Sequence, residues 1–275
     1  MVARTLRRAS APCTSLLACL LSVAGTATPA SAAPELLTNG DFSSYTVNGQ
    51  ASTTSYIVTG GQTSGSTGAT LAGWTNQAYA FVFQPNTASS TGAVINANTR
   101  LNLWGPDGGT GSAAYSNNGF TNSPTGGAFL ASDGAYQQGP IYQTVNNLVV
   151  GQSYALSFWW AAAQQSGFDG ATTEGWSVYW ADASYNVVKA LATDTVTTPN
   201  HGFTPWRQQV YTLVATTTSM TVAFLATGGP NGTPPFSLLD GVSLTAGVPE
   251  PGTLVLLGVG LVGLTAYRLR RQAKA

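Results

Sequence analysis

Two carboxylic acids five residues apart, Asp169 and Glu174, have the spacing that acid and base catalysis could use. They lie in residues 167–174, a segment that the composition predicts to be a loop before a strand. A glycosidase would need a raised pKa on one of the two acids and a carboxyl separation of about 5 to 9.5 Å. Solvated loop acids are the competing interpretation, and it is the one that we favour.

Other catalytic groups are scarce in the sequence. His201 is the single histidine, and no Gly-x-Ser-x-Gly motif is present, so a serine hydrolase triad has little to build on. Both cysteines, Cys13 and Cys19, lie near the N-terminus, and the usual zinc ligand sets are therefore missing from the rest of the chain. We expect His201 to be a solvated loop residue and the protein not to be an enzyme.

Asp240 poses a separate problem of burial. Counting by twos along the strand predicted at residues 236–244 places Asp240 on the same face as Leu238, Val242 and Leu244, which is the predicted core face. An unpaired carboxylate there would cost several kcal/mol, so it needs a cation or hydrogen-bond donors. Backbone N–H groups at the end of a sheet are the alternative to a metal ion.

Tryptophans form a third group of candidates. Trp176 and Trp180 share one face of their predicted strand, and Tyr179 lies on the other face. Exposed aromatic rings suit the binding of sugar rings, which makes Trp176 and Trp180 candidate carbohydrate-binding residues, with Trp74 and Trp104 as alternatives. The competing interpretation is that these large side chains fill the core.

Strands must position all of these residues. Alternation and turn residues predict strands at residues 78–84, 100–104, 127–131, 141–145, 152–162, 175–181, 187–192, 207–215, 220–227 and 236–244, with another near residues 36–37. Residues 182–186 are predicted to close a hairpin, and residues 60–68 and 105–125 to be surface loops. The strand count and the polar turns predict an all-β, antiparallel β-sandwich over residues 33–247.

The charge of this body limits its partners. Residues 33–247 contain three basic and nine acidic side chains, a net charge of −6. Nucleic-acid affinity depends on Lys and Arg side chains that meet phosphates, so we expect no nucleic-acid partner.

Three short segments of the body resemble landmarks of the jelly-roll, galactose-binding-like domains, which include many carbohydrate-binding modules. They are Leu37 to Phe42 (LTNGDF), Val149 to Phe158 (VVGQSYALSF) and Leu238 to Leu244 (LLDGVSL), although the last one has Asp240-Gly241 where Asp-Asn or Asp-Asp is more common in the family. The resemblance implies a jelly roll, a possible role in polysaccharide binding, and a structural Ca²⁺ held by Asp240 with Asp41.

The first 32 residues are typical of a secretory signal peptide. Arg4, Arg7 and Arg8 precede a short apolar run, and Ala30-Ser31-Ala32 supplies a small-residue cleavage site. We therefore expect export, with the mature chain starting at Ala33.

The last 28 residues, 248–275, contain three consecutive signals. Val248, Pro249, Glu250 and Pro251 interrupt regular structure, residues 253–267 are uncharged, and Arg268, Arg270 and Arg271 follow. The apolar run predicts a single transmembrane helix of about 22 Å, against about 30 Å for a bilayer core. The basic end is expected to remain cytoplasmic.

The order of these signals resembles the PEP-CTERM sorting signal of Gram-negative bacteria. That resemblance implies an exosortase-type processing enzyme as partner, transient anchoring in the inner membrane, and release to the cell surface or outside. We expect an exported surface or matrix protein that binds exopolysaccharide without catalysis. The alternatives are a carbohydrate-active enzyme that uses Asp169 and Glu174, and a purely structural matrix protein.

Overall fold

The computed structural model describes residues 33–60 and 68–247, and the single residues Gly260, Leu264 and Gln272. The predicted signal peptide, 1–32, and nearly all of the predicted membrane segment, 253–267, lie outside these residues. Within the described ranges, no helix has the length and the apolar character that crossing a membrane requires.

Seventeen strands make up the described body, numbered here in chain order. The first eight are short: Tyr45–Val47 (β1), Gln50–Ala51 (β2), Tyr56–Ile57 (β3), Ala69–Leu71 (β4), Thr75–Asn76 (β5), Ala80–Phe83 (β6), Ala93–Asn96 (β7) and Thr99–Leu101 (β8). The others are Phe129–Asp133 (β9), Pro140–Val145 (β10), Ser153–Gln164 (β11), Thr172–Asp182 (β12), Val187–Ala192 (β13), Val196–Thr198 (β14), Phe203–Val214 (β15), Met220–Gly229 (β16) and Pro235–Ala246 (β17). One 3-10 turn, Pro106–Gly108, lies between β8 and β9.

Two large sheets form the sandwich. One has the order β13-β12-β16-β10-β5, with β14 paired to β12, and the other has the order β15-β11-β17-β9-β6-β3-β7-β8. From β9 to β12, successive strands alternate between the two sheets, and apart from the β3–β7 pair the named strands pair antiparallel. The predicted all-β antiparallel sandwich is confirmed.

The ten predicted strands from residue 78 onwards all correspond to observed strands. The predicted hairpin at residues 182–186 is also confirmed, because Tyr185 N donates to Asp182 O at 2.9 Å and β12 pairs with β13. Near residues 36–37 only an isolated bridge, from Glu35 to Thr245, is present.

The main core lies between the two large sheets. It contains Phe158 and Trp160 from β11, Trp176 and Trp180 from β12, and Phe224 from β16. Phe158 meets Phe224 edge to face across the sheets, with ring centroids 5.1 Å apart. Burial of such large apolar surfaces is the main stabilising contribution in a body that has no cysteine.

A second core lies on the other face of the eight-stranded sheet. Phe81, Phe129 and Phe236 pack there with Leu103 and Phe120 from the segment between β8 and β9. The segment 105–125, predicted to be a surface excursion, therefore covers apolar surface. The Gly- and Asn-rich composition of the segment does not predict this packing, because Phe120 is its one large buried apolar residue.

A bulge in β17 corrects the predicted orientation of Asp240. Ser157 pairs with Ser243 while Trp159 pairs with Asp240, so β17 has one residue more than β11 between these pairs. An extra residue reverses the alternation of faces. Val242 and Leu244 accordingly belong to the main core, whereas Leu238 belongs to the second one, on the side of Asp240.

Gly241 is the residue that allows this bulge. Its φ of 57° is in the left-handed region, and a Cβ would lie 2.8 Å from the Thr125 side chain and 3.1 Å from Trp159. The departure from the family pattern at Asp240-Gly241 thus has a steric reason in this chain.

Candidate functional site

The structure corrects the prediction that Trp176 and Trp180 contact sugar. Trp176 is 0% exposed and Trp180 1%, and both rings lie in the main core. Their indole N–H groups donate to Leu238 O at 3.1 Å and to Val214 O at 2.9 Å. Neither ring face is accessible to a ligand in this conformation. Trp176 and Trp180 are therefore core residues, as the competing interpretation states.

The alternative tryptophans are also engaged in packing. Trp74 is buried against Phe42 and Phe224, and its N–H donates to Asn39 O at 3.0 Å. Trp104 is partly exposed, but one face of its ring stacks on His201 with centroids 3.8 Å apart. The His201 ring in turn contacts Asp169 at 2.6 Å, so this histidine joins two loops instead of standing free in solvent.

Asp169 and Glu174 occupy opposite environments. The Asp169 side chain is largely exposed. Glu174 lies in β12 and not in the predicted loop. Its side chain is on the same inward face as that of Trp176, two residues later, and it is completely buried. The pair therefore does not share an accessible site at which a glycosidic bond could lie between them.

Hydroxyl groups hold the buried carboxyl of Glu174. Thr172 donates to its Oε1, and Thr198 donates to its Oε2 at 2.6 Å. Burial raises the pKa of Glu174 to about 7, and the two hydroxyl hydrogen bonds counteract only part of that effect. A raised pKa is what a general acid requires, but a group without access to solvent cannot reach a substrate.

Hydrogen-bond donors surround the Asp240 carboxylate, as expected for a buried acid. Gly241 N donates to Oδ1 at 2.6 Å, and the Thr125 hydroxyl donates to Oδ2. Burial nevertheless raises the pKa of Asp240 to about 6, and the nearby charge of Asp41 adds to the increase. Asp41 itself is exposed, and its turn lies against β17 because Val242 N donates to Gly40 O at 2.9 Å.

These groups fit a hard cation. Four oxygen-bearing groups lie near one another here, namely the Asp240 carboxylate, the Asp41 carboxylate and the hydroxyls of Ser123 and Thr125. Ca²⁺ prefers such oxygen ligands, and a cation would relieve the repulsion between the two acids. Within the described residues, no cluster of three or more His, Cys, Asp or Glu side chains is present, so hydroxyl and backbone oxygens would have to complete the set.

A groove on the outer face of the six-stranded sheet is lined by accessible aromatic residues. Tyr142 on β10 and Tyr179 on β12 both pair with Ala223 on β16, which lies between them. Neighbouring strands are about 4.8 Å apart, so the two tyrosines stand roughly 10 Å apart with a small residue between them. Ala223 therefore forms the floor and the tyrosines form the walls; we call this site the tyrosine groove.

Tyr185, in the turn between β12 and β13, extends one wall of the tyrosine groove. It is 62% exposed and meets Tyr142 edge to face, with centroids 5.8 Å apart. The groove has a volume of about 460 Å³, and none of its lining residues is charged. Gln77 and Thr221 add polar groups at its border. Alternation along β12 predicts that Tyr179 lies on the face opposite Trp176 and Trp180. Its position across Ala223 from Tyr142 depends on strand order, which the sequence does not show.

One protein family matches the tail of the chain. Residues 247–271 match the family described as the PEP-CTERM protein-sorting motif. The match includes Val248, Pro249, Glu250, Pro251, Arg268, Arg270 and Arg271, so the predicted resemblance is confirmed, although their structure lies outside the described residues. The chain is thus an all-β sandwich protein with a PEP-CTERM sorting motif, and this motif implies an exported protein.

Similar solved structures include sugar-binding and adhesin domains. TmCBM61 in complex with β-1,4-galactotriose is 12% identical with a TM-score of 0.35, over 64% of this chain and 90% of that chain. A cleaved adhesin domain of Lys-gingipain from Porphyromonas gingivalis is 17% identical with a TM-score of 0.33, over 72% and 99%. The N-terminal cellulose-binding domain of Cellulomonas fimi β-1,4-glucanase C is 18% identical with a TM-score of 0.29, over 44% and 80%. All three scores are below 0.5, and the fold described above rests on the strands themselves.

No curated protein matches the chain.

Proposed function

We propose that this exported protein binds neutral polysaccharide through the tyrosine groove, without catalysis, after an exosortase-type enzyme has processed its tail. The sorting motif supports the processing step, a transient stay in the inner membrane and final release to the cell surface or the extracellular matrix. The observation that carries the binding function is the pair of tyrosine rings on either side of Ala223.

The chemistry of the groove favours a neutral sugar chain. Aromatic rings provide flat apolar surfaces, and their hydroxyls provide polar handles at the border. Because no charged residue lines the groove, an acidic or basic polymer would lose its hydration there without gaining a partner charge. An open groove on the face of a sheet also leaves room for a chain to continue in both directions.

Alanine substitution in the groove should remove binding. We expect Tyr179→Ala and Tyr185→Ala each to weaken binding to immobilised neutral polysaccharides about tenfold or more, as for aromatic residues at the centre of an interface. Affinity electrophoresis against a panel of neutral polysaccharides measures the effect. Tyr115→Ala, the same change in a loop outside the groove, is the control and should bind as the wild type does. Unchanged binding by both groove variants would disprove the assignment of the groove.

The burial of Glu174 supports the non-catalytic part of the proposal. A glycosidase that used Asp169 and Glu174 would need both carboxyls at one accessible bond, whereas Glu174 is enclosed by Thr172 and Thr198. A purely structural role in the matrix is the outcome that would follow if no polysaccharide in the panel binds.

A structural Ca²⁺ at Asp240 and Asp41 is part of the same proposal. With a dissociation constant of about 10⁻⁴ M, as in extracellular modules, 10 mM Ca²⁺ would stabilise the folded state by about 2.7 kcal/mol. For a domain of this size we expect a melting temperature roughly 5 to 10 °C higher in Ca²⁺ than in chelator. Differential scanning calorimetry of wild type and Asp240→Asn tests this, since the variant should lose the difference. Equal melting of the wild type in Ca²⁺ and in chelator would eliminate the metal site.

A further inference from the structure

A second cavity, with a volume of about 300 Å³, shares no lining residue with the tyrosine groove. Three loops build it: the turn after β9 contributes Tyr136, the β11–β12 loop contributes Phe168, and the β16–β17 loop contributes Asn231. Tyr79, just before β6, and Asp133, the last residue of β9, complete its wall. We call this site the loop cavity.

Asp133 is an acid with one uncommitted oxygen. The residue is only 1% exposed, and its Oδ1 accepts hydrogen bonds from Ala135 N at 2.8 Å and Tyr136 N at 3.0 Å. The described part of the chain donates no hydrogen bond to Oδ2. Because Asp133 lines the loop cavity, Oδ2 is an acceptor that a ligand there can use.

Aromatic rings line the same cavity as Asp133. Tyr79 and Tyr136 meet edge to face with centroids 5.2 Å apart, Tyr136 is 51% exposed, and Phe168 is also exposed. Burial raises the pKa of Tyr79 to about 12, and the charges of Tyr136 and Asp133 contribute, so its hydroxyl stays neutral. Burial likewise raises the pKa of Asp133.

The loop cavity lacks a positive charge of its own. None of the residues that line it is Lys, Arg or His. A buried carboxylate without a cation is unfavourable, and aromatic faces attract cations, so both features favour the same kind of ligand group. The net charge of −6 over residues 33–247 would also draw a positively charged polymer towards the protein.

We propose that the loop cavity binds the ammonium group of an amino sugar within a polysaccharide, with Asp133 Oδ2 as the acceptor and the Tyr136 and Phe168 rings against the sugar. The proposal rests on the polysaccharide-binding function and adds a second, charge-selective site to it. Asn231 and Gln165, which also line the cavity, are available to bind the ring hydroxyls.

The test compares two probes that differ at their amino groups, which are charged in one probe and acetylated, and so neutral, in the other. Binding of a β-1,4-linked glucosamine tetrasaccharide and of its fully N-acetylated form to the purified full chain is measured by titration calorimetry. We expect the amino form to bind about tenfold more tightly, and Asp133→Asn to remove that difference, because hydrogen bonds to charged groups are worth that much. Tyr136→Ala, at an exposed ring, should weaken the amino form about fivefold.

Matched controls separate this site from other effects. Asp194→Asn removes one exposed negative charge elsewhere, and it should bind the amino form as the wild type does. Asp133→Asn keeps the Oδ1 acceptor, so its melting temperature should stay close to that of the wild type. Equal binding of the two probes by the wild type, or equal loss for both in Asp133→Asn, would overturn the proposal.

Tetralysine identifies the alternative ligand. Tighter binding of this peptide than of the glucosamine tetrasaccharide, dependent on Asp133, would show that the site takes a protein amine and would overturn the amino-sugar assignment. A failure of the tyrosine-groove variants to lose neutral polysaccharide would disprove the groove and leave the Asp133 result to stand by itself.

Discussion

The wild type is expected to become less stable as the pH rises, because Glu174 ionises. Replacing Glu174 with glutamine should abolish this contribution to the pH dependence. The pKa of Glu174 is about 7 in the folded protein, against 4.5 for an ordinary glutamic acid. Between these two pH values the folded state holds a proton that the unfolded state releases. The contribution of Glu174 to the free energy of unfolding therefore falls with increasing pH across this interval, by about 3 kcal/mol, and stays constant above it.

The glutamine variant reproduces the protonated acid at every pH. Its amide has one acceptor oxygen and a donor N–H₂ group, as the neutral carboxyl has one acceptor and one donor, so both threonine hydroxyls can still be satisfied. We expect similar stability of the two proteins near pH 4.5 and a variant more stable by about 3 kcal/mol near pH 8. Urea denaturation at a series of pH values, in chelator, measures the difference.

Comparing the stability of the wild type and of Glu174→Gln at the same pH cancels the contributions of the other acids with raised pKa values. The pKa values of Asp240 and Asp133 are also raised by burial, so both acids act in the same direction in wild type and variant alike. Thr198→Val is the complementary variant, because it removes a hydrogen bond that lowers the pKa of Glu174. In Thr198→Val, the fall in the free energy of unfolding should therefore continue to a higher pH than in the wild type. Parallel pH profiles for wild type and Glu174→Gln would refute the buried, protonated acid.

Trp176→Ala is expected to cause a large loss of stability in the body. The change removes a fully buried ring that packs edge to face on Phe224, with centroids 6.1 Å apart, and it removes the indole N–H that donates to Leu238 O. Truncation of a buried tryptophan costs about 3 to 5 kcal/mol, which lowers the melting temperature by about 10 °C in a domain of this size. Circular dichroism melts give the measurement.

Tyr179→Ala is the matched variant on the opposite face of the same strand. It should keep most of the stability while it loses polysaccharide binding, so the two substitutions separate core from ligand surface along β12. If Trp176→Ala instead melted like the wild type and lost binding, the assignment of the inner and outer faces of β12 would be wrong.

Much of the fold follows from local patterns. The bounds of β13 match the predicted residues 187–192, and β11 and β12 differ from prediction by one to three residues at each end. Period-two alternation put Trp176 and Trp180 on one face and Tyr179 on the other. The patterns did not find short strands such as β2 or β5, because two residues contain no periodicity.

The site was much less predictable, and Asp240 illustrates why. Counting by twos grouped it with Val242 and Leu244, but the bulge at Gly241 reversed the alternation between them. The composition of residues 167–174 predicts a loop that includes Glu174, yet Thr172 begins β12. The burial of Glu174 results from packing against β14, which lies more than twenty residues further along the chain.

The sequence by itself determined the export motif, the longer strands and the alternation of side chains along regular strands. These properties depend on residues that are close together in the chain. Only the tertiary structure decided which face of β12 points inward, that Tyr142 and Tyr179 stand on either side of Ala223, and that Asp133 lines one cavity with Tyr136 and Phe168. Those arrangements depend on the pairing and packing of distant segments, and the free energy of burial that selects them is a property of the whole sandwich.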